Sequence, residues 1–220
     1  VVVNLTRLLV DNAVVVAAGT PRVGTGTRPY ARIQDAVNAA DALDTVFIRR
    51  GTGSYAETVA LTKRLTLLGD SGSAAATSSY LGSNRNPANL PLIAHDTGVA
   101  AITAHTTAPQ TIRYLAVRHT LDGPALDADG SDVTVEYLYV NPSVTSRIGR
   151  GISIKNSPSG TAVRRSVIRS VRGYGIRLEN VQGAVLFVDS VIGVDSVAAV
   201  EEGAAVKIVG GGTITVSSNT

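Results

Sequence analysis

The chain has 220 residues, 44% hydrophobic and 4% aromatic, with 22 glycines and a formal net charge of +3. This composition is typical of an ordered globular chain with a core of small aliphatic side chains, and the length fits one large all-β domain or two small ones. The lack of cysteine excludes disulfides, thiolate metal sites and cysteine nucleophiles. The basic residues form no run, which argues against a nucleic-acid partner, and no apolar segment approaches the ~18–20 residues of a membrane span.

The first predicted elements are strands and a helix. Residues 1–19 are rich in Val and Leu and predict one or two strands. The segment 30–43 has apolar side chains at helical spacing, namely Ile33, Ala36, Val37 and Ala40. A stack of strands leaves an open end that needs a cover, and we expect this helix to be the cap.

Residues 44–70 continue with short apolar runs that are typical of strands, separated by a stretch that contains Gly, Tyr55 and Glu57. Residues 71–90 break the pattern with small polar residues, Asn and Pro. They predict a loop that protrudes from the strands on either side.

From residue 98 onward the chain repeats a short phrase. The copies are AITAHT at 101–106, ALDADG at 125–130, GISIKN at 151–156, GIRLEN at 175–180 and AVKIVG at 205–210. The second and fourth positions are apolar and the third and fifth mostly polar, which indicates strands with one buried face. We therefore expect the second positions to form one buried stack of Ile102, Leu126, Ile152, Ile176 and Val206. The sixth position holds Gly130, Asn156, Asn180 and Gly210, types that tolerate the left-handed backbone of a sharp corner.

A period of about 24 residues, with short strands and no helix between them, excludes βαβ units. Leucine-rich repeats are excluded because their Leu and Asn ladder is missing. The sequence predicts an all-β fold, a right-handed parallel β-helix solenoid with an N-terminal capping helix. We expect a single domain over residues 1–220, with strands and helix over 1–43 and coils over 44–220.

Residues 30–70 resemble a known family. Ile-Gln-x-Ala-Val at 33–37, Tyr-x-Glu at 55–57 and Leu-x-Leu-Leu-Gly-Asp at 65–70 follow one another as at the start of pectin methylesterases, and the later repeats resemble coils of the pectin-lyase-like superfamily. The resemblance implies a β-helix. The Gln-Asp-Thr and Asp-Phe-Ile-Phe-Gly motifs that hold the paired catalytic aspartates of these esterases are absent. It therefore implies the fold and not the activity, and we assign no catalytic residue.

The densest acidic cluster is a candidate metal site made of Asp127, Asp129 and Asp132. Asp127 and Asp129 are two residues apart, so both point outward from one strand and could share Ca²⁺ through oxygen ligands. The alternative is a surface ladder in which Asp129, Lys155 and Glu179 stack in successive coils with alternating charge. No other cofactor is expected.

Three tyrosines are candidate glycan contacts. Tyr137 and Tyr139 are two apart on one predicted strand, and Tyr114 lies one coil earlier. Together they could form a short aromatic stack that binds sugar rings. Core or structural stacking is the alternative.

For function we favour a non-catalytic extracellular or cell-surface module, either structural and self-assembling or glycan-binding. The alternative is a polysaccharide lyase, or a related carbohydrate-active enzyme, that acts on an acidic polysaccharide. The first residue is Val and not Met, which a removed signal peptide would explain, so we expect a secreted or surface location. We expect self-association through the apolar strand at 1–10 or through the last coil, whose final segment 211–220 begins a strand without completing a coil.

Overall fold

The repeats stack as parallel strands. The computed structural model describes residues 7–10, 30–50, 53–70, 90–95, 98–119, 123–140, 150–170, 173–194, 204–210 and 213–217. These residues form the helix α1 (Ile33–Ala39) and a series of strands. The strands are β1 (Arg7–Val10), β2 (Thr45–Ile48), β3 (Val59–Ala60), β4 (Thr66–Gly69), β5 (Leu92–His95), β6 (Ile102–His105), β7 (Gln110–His119), β8 (Pro124–Asp129), β9 (Val133–Val140), β10 (Arg150–Lys155), β11 (Gly160–Arg164), β12 (Val167–Ser170), β13 (Tyr174–Glu179), β14 (Ala184–Val188), β15 (Val191–Val194), β16 (Ala204–Val209) and β17 (Ile214–Ser217).

The strands build two parallel sheets. The six-stranded sheet has the order β16-β13-β10-β8-β6-β3. The eleven-stranded sheet follows β1-β2-β4-β7-β9-β11-β14-β17, with β5, β12 and β15 beside this path. Because each strand pairs with the equivalent strand of the coil before and after it, the architecture is a β-solenoid, and the predicted parallel β-helix is confirmed.

The predicted interior stack is also confirmed. The register joins Ile102 to Leu126, Leu126 to Ile152, Ile152 to Ile176 and Ile176 to Val206. The first four side chains are fully buried, whereas Val206 is partly buried against the core. Ile208, two residues further along β16, is 51% exposed. The difference arises because β16 is the outermost strand of its sheet within the described residues.

The corner after the six-stranded sheet is the one that the sequence predicts. Its residues have positive φ, with values of 77° at Gly130, 51° at Asn156, 52° at Asn180 and 75° at Gly210. The side-chain amide of Asn156 also donates to Asp129 Oδ1 at 2.8 Å. Gly and Asn thus serve this corner because they adopt a left-handed backbone at low cost.

A second corner bends the larger sheet, and the sequence did not indicate it. Its positive-φ residues are Tyr114, Tyr137, Arg165 and Asp189. The burial pattern of β9 slips by one residue at this point, with Glu136 and Tyr137 both partly exposed. The corner divides the larger sheet into two faces and leaves its corner side chains pointing away from the core.

Two side chains of residues 30–70 connect the helix to the first coils. The Glu57 carboxylate accepts the backbone N–H groups of Ile33 and Gln34 at 2.8 and 2.9 Å. Gln34 Oε1 accepts the N–H of Ala60 at 2.7 Å, as the backbone carbonyl of a neighbouring strand would. With Ile33, Ala36 and Val37 buried, α1 lies beside β1, β2 and β3, as expected of the predicted cap.

The glycine of the Leu-x-Leu-Leu-Gly-Asp motif has a steric role. A Cβ at Gly69 would lie 1.8 Å from the carbonyl oxygen of Tyr114 in the next coil. Of the predicted loop at 71–90, residues 71–89 lie outside the described residues, and Leu90 is buried.

Candidate functional site

A groove crosses the outer face of the larger sheet. Thr66, Thr111 and Thr134 stand in register on β4, β7 and β9, and all three are partly exposed. They line a depression of about 440 Å³ whose other walls include Leu43, Arg64, Pro109 and Asp132. We call this depression the threonine groove. It presents hydroxyl groups at the spacing of parallel strands, about 4.8 Å.

Asp132, at the edge of the groove, is held by the turn before β11. Its Oδ1 accepts the Ser157 hydroxyl at 2.7 Å and the backbone N–H groups of Ser159 and Gly160 at 2.9 and 3.0 Å. Burial alone raises the pKa of Asp132, but the hydrogen bonds that it accepts outweigh burial, and the net pKa lies below its usual value. This carboxylate therefore fixes the turn from the preceding coil.

The tyrosine stack lies at the second corner, where this face ends, three residues beyond the groove threonine on β7. The rings of Tyr114 and Tyr137 have centroids 4.6 Å apart and planes within 10° of each other. The Arg165 guanidinium lies 5.6 Å from the Tyr137 ring centroid and donates to its hydroxyl at 3.0 Å. Glu136 pairs with Arg113 at 3.1 Å and with Arg165 at 3.5 Å. The stack is thus continued by a cation and braced by ion pairs.

Tyr139 is not part of this stack. It follows the corner at Tyr137, and its register neighbours are Ala116 and Val167, on the far side of that corner. The predicted group of three tyrosines is therefore a stacked pair plus one residue on another face.

The outer face of the six-stranded sheet carries a second polar cluster. Asp127, Ser153 and Arg177 stand in register on β8, β10 and β13, and we call them the polar row. His105 Nε2 lies 3.0 Å and Lys155 Nζ 3.8 Å from the two carboxylate oxygens of Asp127. The sequence spacing of His105 gave no sign of this pairing, which arises because β6 and β8 are neighbours.

The predicted charge ladder has the expected register but different contacts. Lys155 aligns with Asp129 and Glu179. The ion pair of Lys155, however, is with Asp127, while Glu179 accepts a hydrogen bond from Arg177 Nη2 at 2.8 Å. Charges on this face therefore pair diagonally between coils, as Lys155 does with Asp127, and along a strand, as Arg177 does with Glu179.

The structure does not gather the predicted metal ligands. Asp127 and Asp129 face outward from β8, whereas Asp132 lies beyond the corner and binds its turn. Across the described ranges, no three histidine or acidic side chains converge as a metal-binding group. The threonine groove and Ser153 were missed from the sequence. An alignment of successive repeats that compares their outward-facing positions could have found both.

No helix among the described residues has the length and apolar character to cross a membrane. Comparison with protein-family models, curated proteins and solved structures found no match to this chain. The β-solenoid fold is thus established by the strand pairing of the chain itself.

Proposed function

We propose that this chain is a non-catalytic extracellular or cell-surface module that binds a glycan chain along the outer face of its larger sheet. The observation that carries the proposal is the threonine groove, which crosses three coils; the tyrosine stack follows it at the corner, three residues further along β7. Its volume of about 440 Å³ falls within the range of ligand sites.

The chemistry of this face suits a sugar polymer. Threonine hydroxyls occur at the same position of three neighbouring strands and can donate to or accept from sugar hydroxyls. Arg64 and Asp132 add a charged donor and an acceptor at the walls, and Leu43 and Pro109 supply apolar surface. Because Tyr114 and Tyr137 cover one another's inner faces, a sugar would contact their edges and hydroxyl groups.

We further propose that the chain belongs to the pectin-lyase-like superfamily. The support is that the residues carrying the resemblance, Gln34, Glu57 and Gly69, each make a specific contact at the start of the solenoid. A motif whose members all serve the fold is consistent with shared architecture. It carries no argument for esterase chemistry.

A polysaccharide lyase acting on an acidic polysaccharide is the alternative. The proposed Ca²⁺ ligands Asp127, Asp129 and Asp132 do not share one site among the described residues, which favours binding over elimination. The two functions differ in a direct assay, because elimination produces an unsaturated, ultraviolet-absorbing sugar.

Self-assembly is a second proposed role, with another copy of this chain as the partner. Ile208 and Val209 on the outermost strand β16 are 51% and 39% exposed. At the other end of the stack, β1 pairs only with β2 among the described strands. Edge strands of this kind favour head-to-tail contact. Light scattering with and without residues 1–10, and with Ile208→Asp, tests this role; a monomer under all conditions would contradict it.

The glycan proposal is tested by retention on immobilised neutral and acidic polysaccharides. Thr111→Val removes a groove hydroxyl at nearly constant shape, and Tyr137→Leu removes the stack. We expect each change to weaken binding several-fold, whereas Thr215→Val, on β17 outside the groove, should not. Unchanged retention of both variants would refute glycan binding at the groove. Product absorbance that disappears in Asp127→Ala would establish the lyase instead.

A further inference from the structure

The tyrosine stack joins two successive coils at the second corner. The ring centroids of Tyr114 and Tyr137 are 4.6 Å apart, and the ring planes differ by 10°. The strand register fixes this pairing, because the next residues along the chain, Leu115 and Leu138, are partners on β7 and β9. The backbone of the two strands therefore brings two phenol rings face to face.

The backbone of this pair is costly. Tyr114 and Tyr137 have φ of 55° and 54°, a region that bulky residues rarely occupy. The corner after the six-stranded sheet uses Gly130 and Asn156 instead, which adopt such a backbone at low cost. Strained residues cluster at functional sites. Two tyrosines in this conformation point to a use for their side chains.

The two rings are also open to reagents, since both are partly exposed. Three of the other described tyrosines are buried, namely Tyr30, Tyr55 and Tyr174. Tyr139 is partly exposed, but its register neighbours Ala116 and Val167 carry no ring. Across the described ranges, Tyr114 and Tyr137 are thus the tyrosines that combine exposure with a stacked phenol.

Oxidation of a tyrosine gives a radical that is suited to this geometry. Burial, together with Tyr137 and the Glu136 carboxylate, raises the pKa of Tyr114 above its usual value of about 10. Tyr114 is therefore a neutral phenol at neutral pH and loses a proton along with its electron. The unpaired electron of the resulting phenoxyl radical is shared between the oxygen and the two Cε carbons. In a stacked pair these carbons lie against the neighbouring ring.

We propose that Tyr114 and Tyr137 are a site of oxidative cross-linking, at which a peroxidase with hydrogen peroxide joins the two rings through a Cε–Cε bond. The oxidant removes one electron and one proton from each phenol, and the two radicals couple. Each coupled carbon then releases its hydrogen as a proton while its ring oxygen takes one up, which restores both aromatic rings. The two electrons and two protons removed reduce one hydrogen peroxide to two water molecules.

The new bond would link β7 to β9. It closes a loop, since Tyr137 follows Tyr114 by 23 residues. A covalent link of this kind restricts the unfolded chain more than the folded chain and so stabilises the fold. Disulfides cannot supply such a link, because the chain has no cysteine. The cross-link uses phenol rings and not the groove hydroxyls, so the inference does not depend on glycan binding.

The test is treatment of the dilute full chain with a peroxidase and hydrogen peroxide, followed by tryptic digestion and mass spectrometry. Trypsin cleaves after Arg113, Arg118 and Arg147, which places the two tyrosines in the separate peptides 114–118 and 119–147. We expect these peptides as one species that lacks two hydrogens and has dityrosine fluorescence. Fragmentation should show the link to Tyr137 at least about tenfold more often than to Tyr139, because stacking holds the reacting carbons together.

Phenylalanine variants keep a ring in the stack but cannot form a phenoxyl radical. Tyr114→Phe and Tyr137→Phe should therefore each abolish the cross-link in a chain that still folds. Tyr139→Phe is the matched control and should leave the yield unchanged. The cross-linked wild-type chain should unfold at a higher urea concentration than the untreated chain.

Three results would overturn the proposal. The first is a folded wild-type chain from which the linked peptides are not recovered. The second is a cross-link that persists in Tyr114→Phe or Tyr137→Phe. The third is coupling between molecules only, seen as dimers on a denaturing gel. An unchanged or lower urea midpoint of the cross-linked chain would contradict the stabilising role of the bond.

Discussion

The carboxylate of Glu57 accepts the backbone N–H of Ile33 at 2.8 Å across 24 residues of sequence. A helix N-terminus is usually capped by the residue just before it. Here that residue, Arg32, makes no side-chain cap hydrogen bond. A side chain of the first coils therefore performs the capping, which joins the helix to the solenoid.

Replacement of Glu57 should weaken that junction. We expect Glu57→Ala to lower the free energy of unfolding by about 1–3 kcal/mol, because two helix N–H groups lose a buried charged acceptor. Glu57→Gln keeps one acceptor oxygen and should cost less. Urea unfolding followed by circular dichroism measures both, and equal stability of Glu57→Ala and wild type would contradict the capping role.

The interior stack gives a graded prediction. Ile152→Ala should cost about 2–4 kcal/mol, because it empties a fully buried position between two neighbouring coils. Val206→Ala, at a partly buried position, should cost clearly less. Midpoints of urea unfolding provide the comparison. A larger loss at Val206 than at Ile152 would be inconsistent with this packing.

The Asn corner predicts which substitutions the chain tolerates. Asn156 has φ of 51°, a region in which a β-branched side chain is strained. We expect Asn156→Val to destabilise the protein by about 1–2 kcal/mol through this strain alone. Asn156→Gly should be tolerated, apart from loss of the bond to Asp129. Thermal melting distinguishes the pair, and a stable valine variant would argue against the assigned backbone.

Asp132 predicts an acid-sensitive contribution to stability. Its pKa in the folded chain is lowered, so the stabilisation is fully present above the unfolded-state value of about 3.9 and is lost as pH falls through the folded value. Asp132→Asn should therefore be less stable than wild type at neutral pH, and the difference should shrink below about pH 4. Urea midpoints from neutral to acidic pH test this. A difference that grows on acidification would show the opposite sign of linkage.

The sequence by itself determined the coil, its interior and one corner. Apolar residues at alternate positions of each repeat specify both the buried face and the register, since a one-residue slip would expose the whole stack from Ile102 to Ile176. Gly130 and Asn156 mark a corner because their backbone preference is a property of the residue type. The helical spacing of Ile33, Ala36 and Val37 likewise predicted α1.

Only the tertiary structure decided the second corner and the outward contacts. Tyr137 and Arg165 have no intrinsic preference for positive φ, so the surrounding coils impose that backbone, and no local pattern marks it. Glu57 accepts from the backbone of Ile33, and Lys155 pairs with Asp127 and not with Asp129. These contacts depend on which residues of neighbouring coils lie close together, and only the stacking of the coils determines that. The polar row arises in the same way: Ser153 follows Asp127 by 26 residues and Arg177 follows Ser153 by 24, and the coil period places them on neighbouring strands.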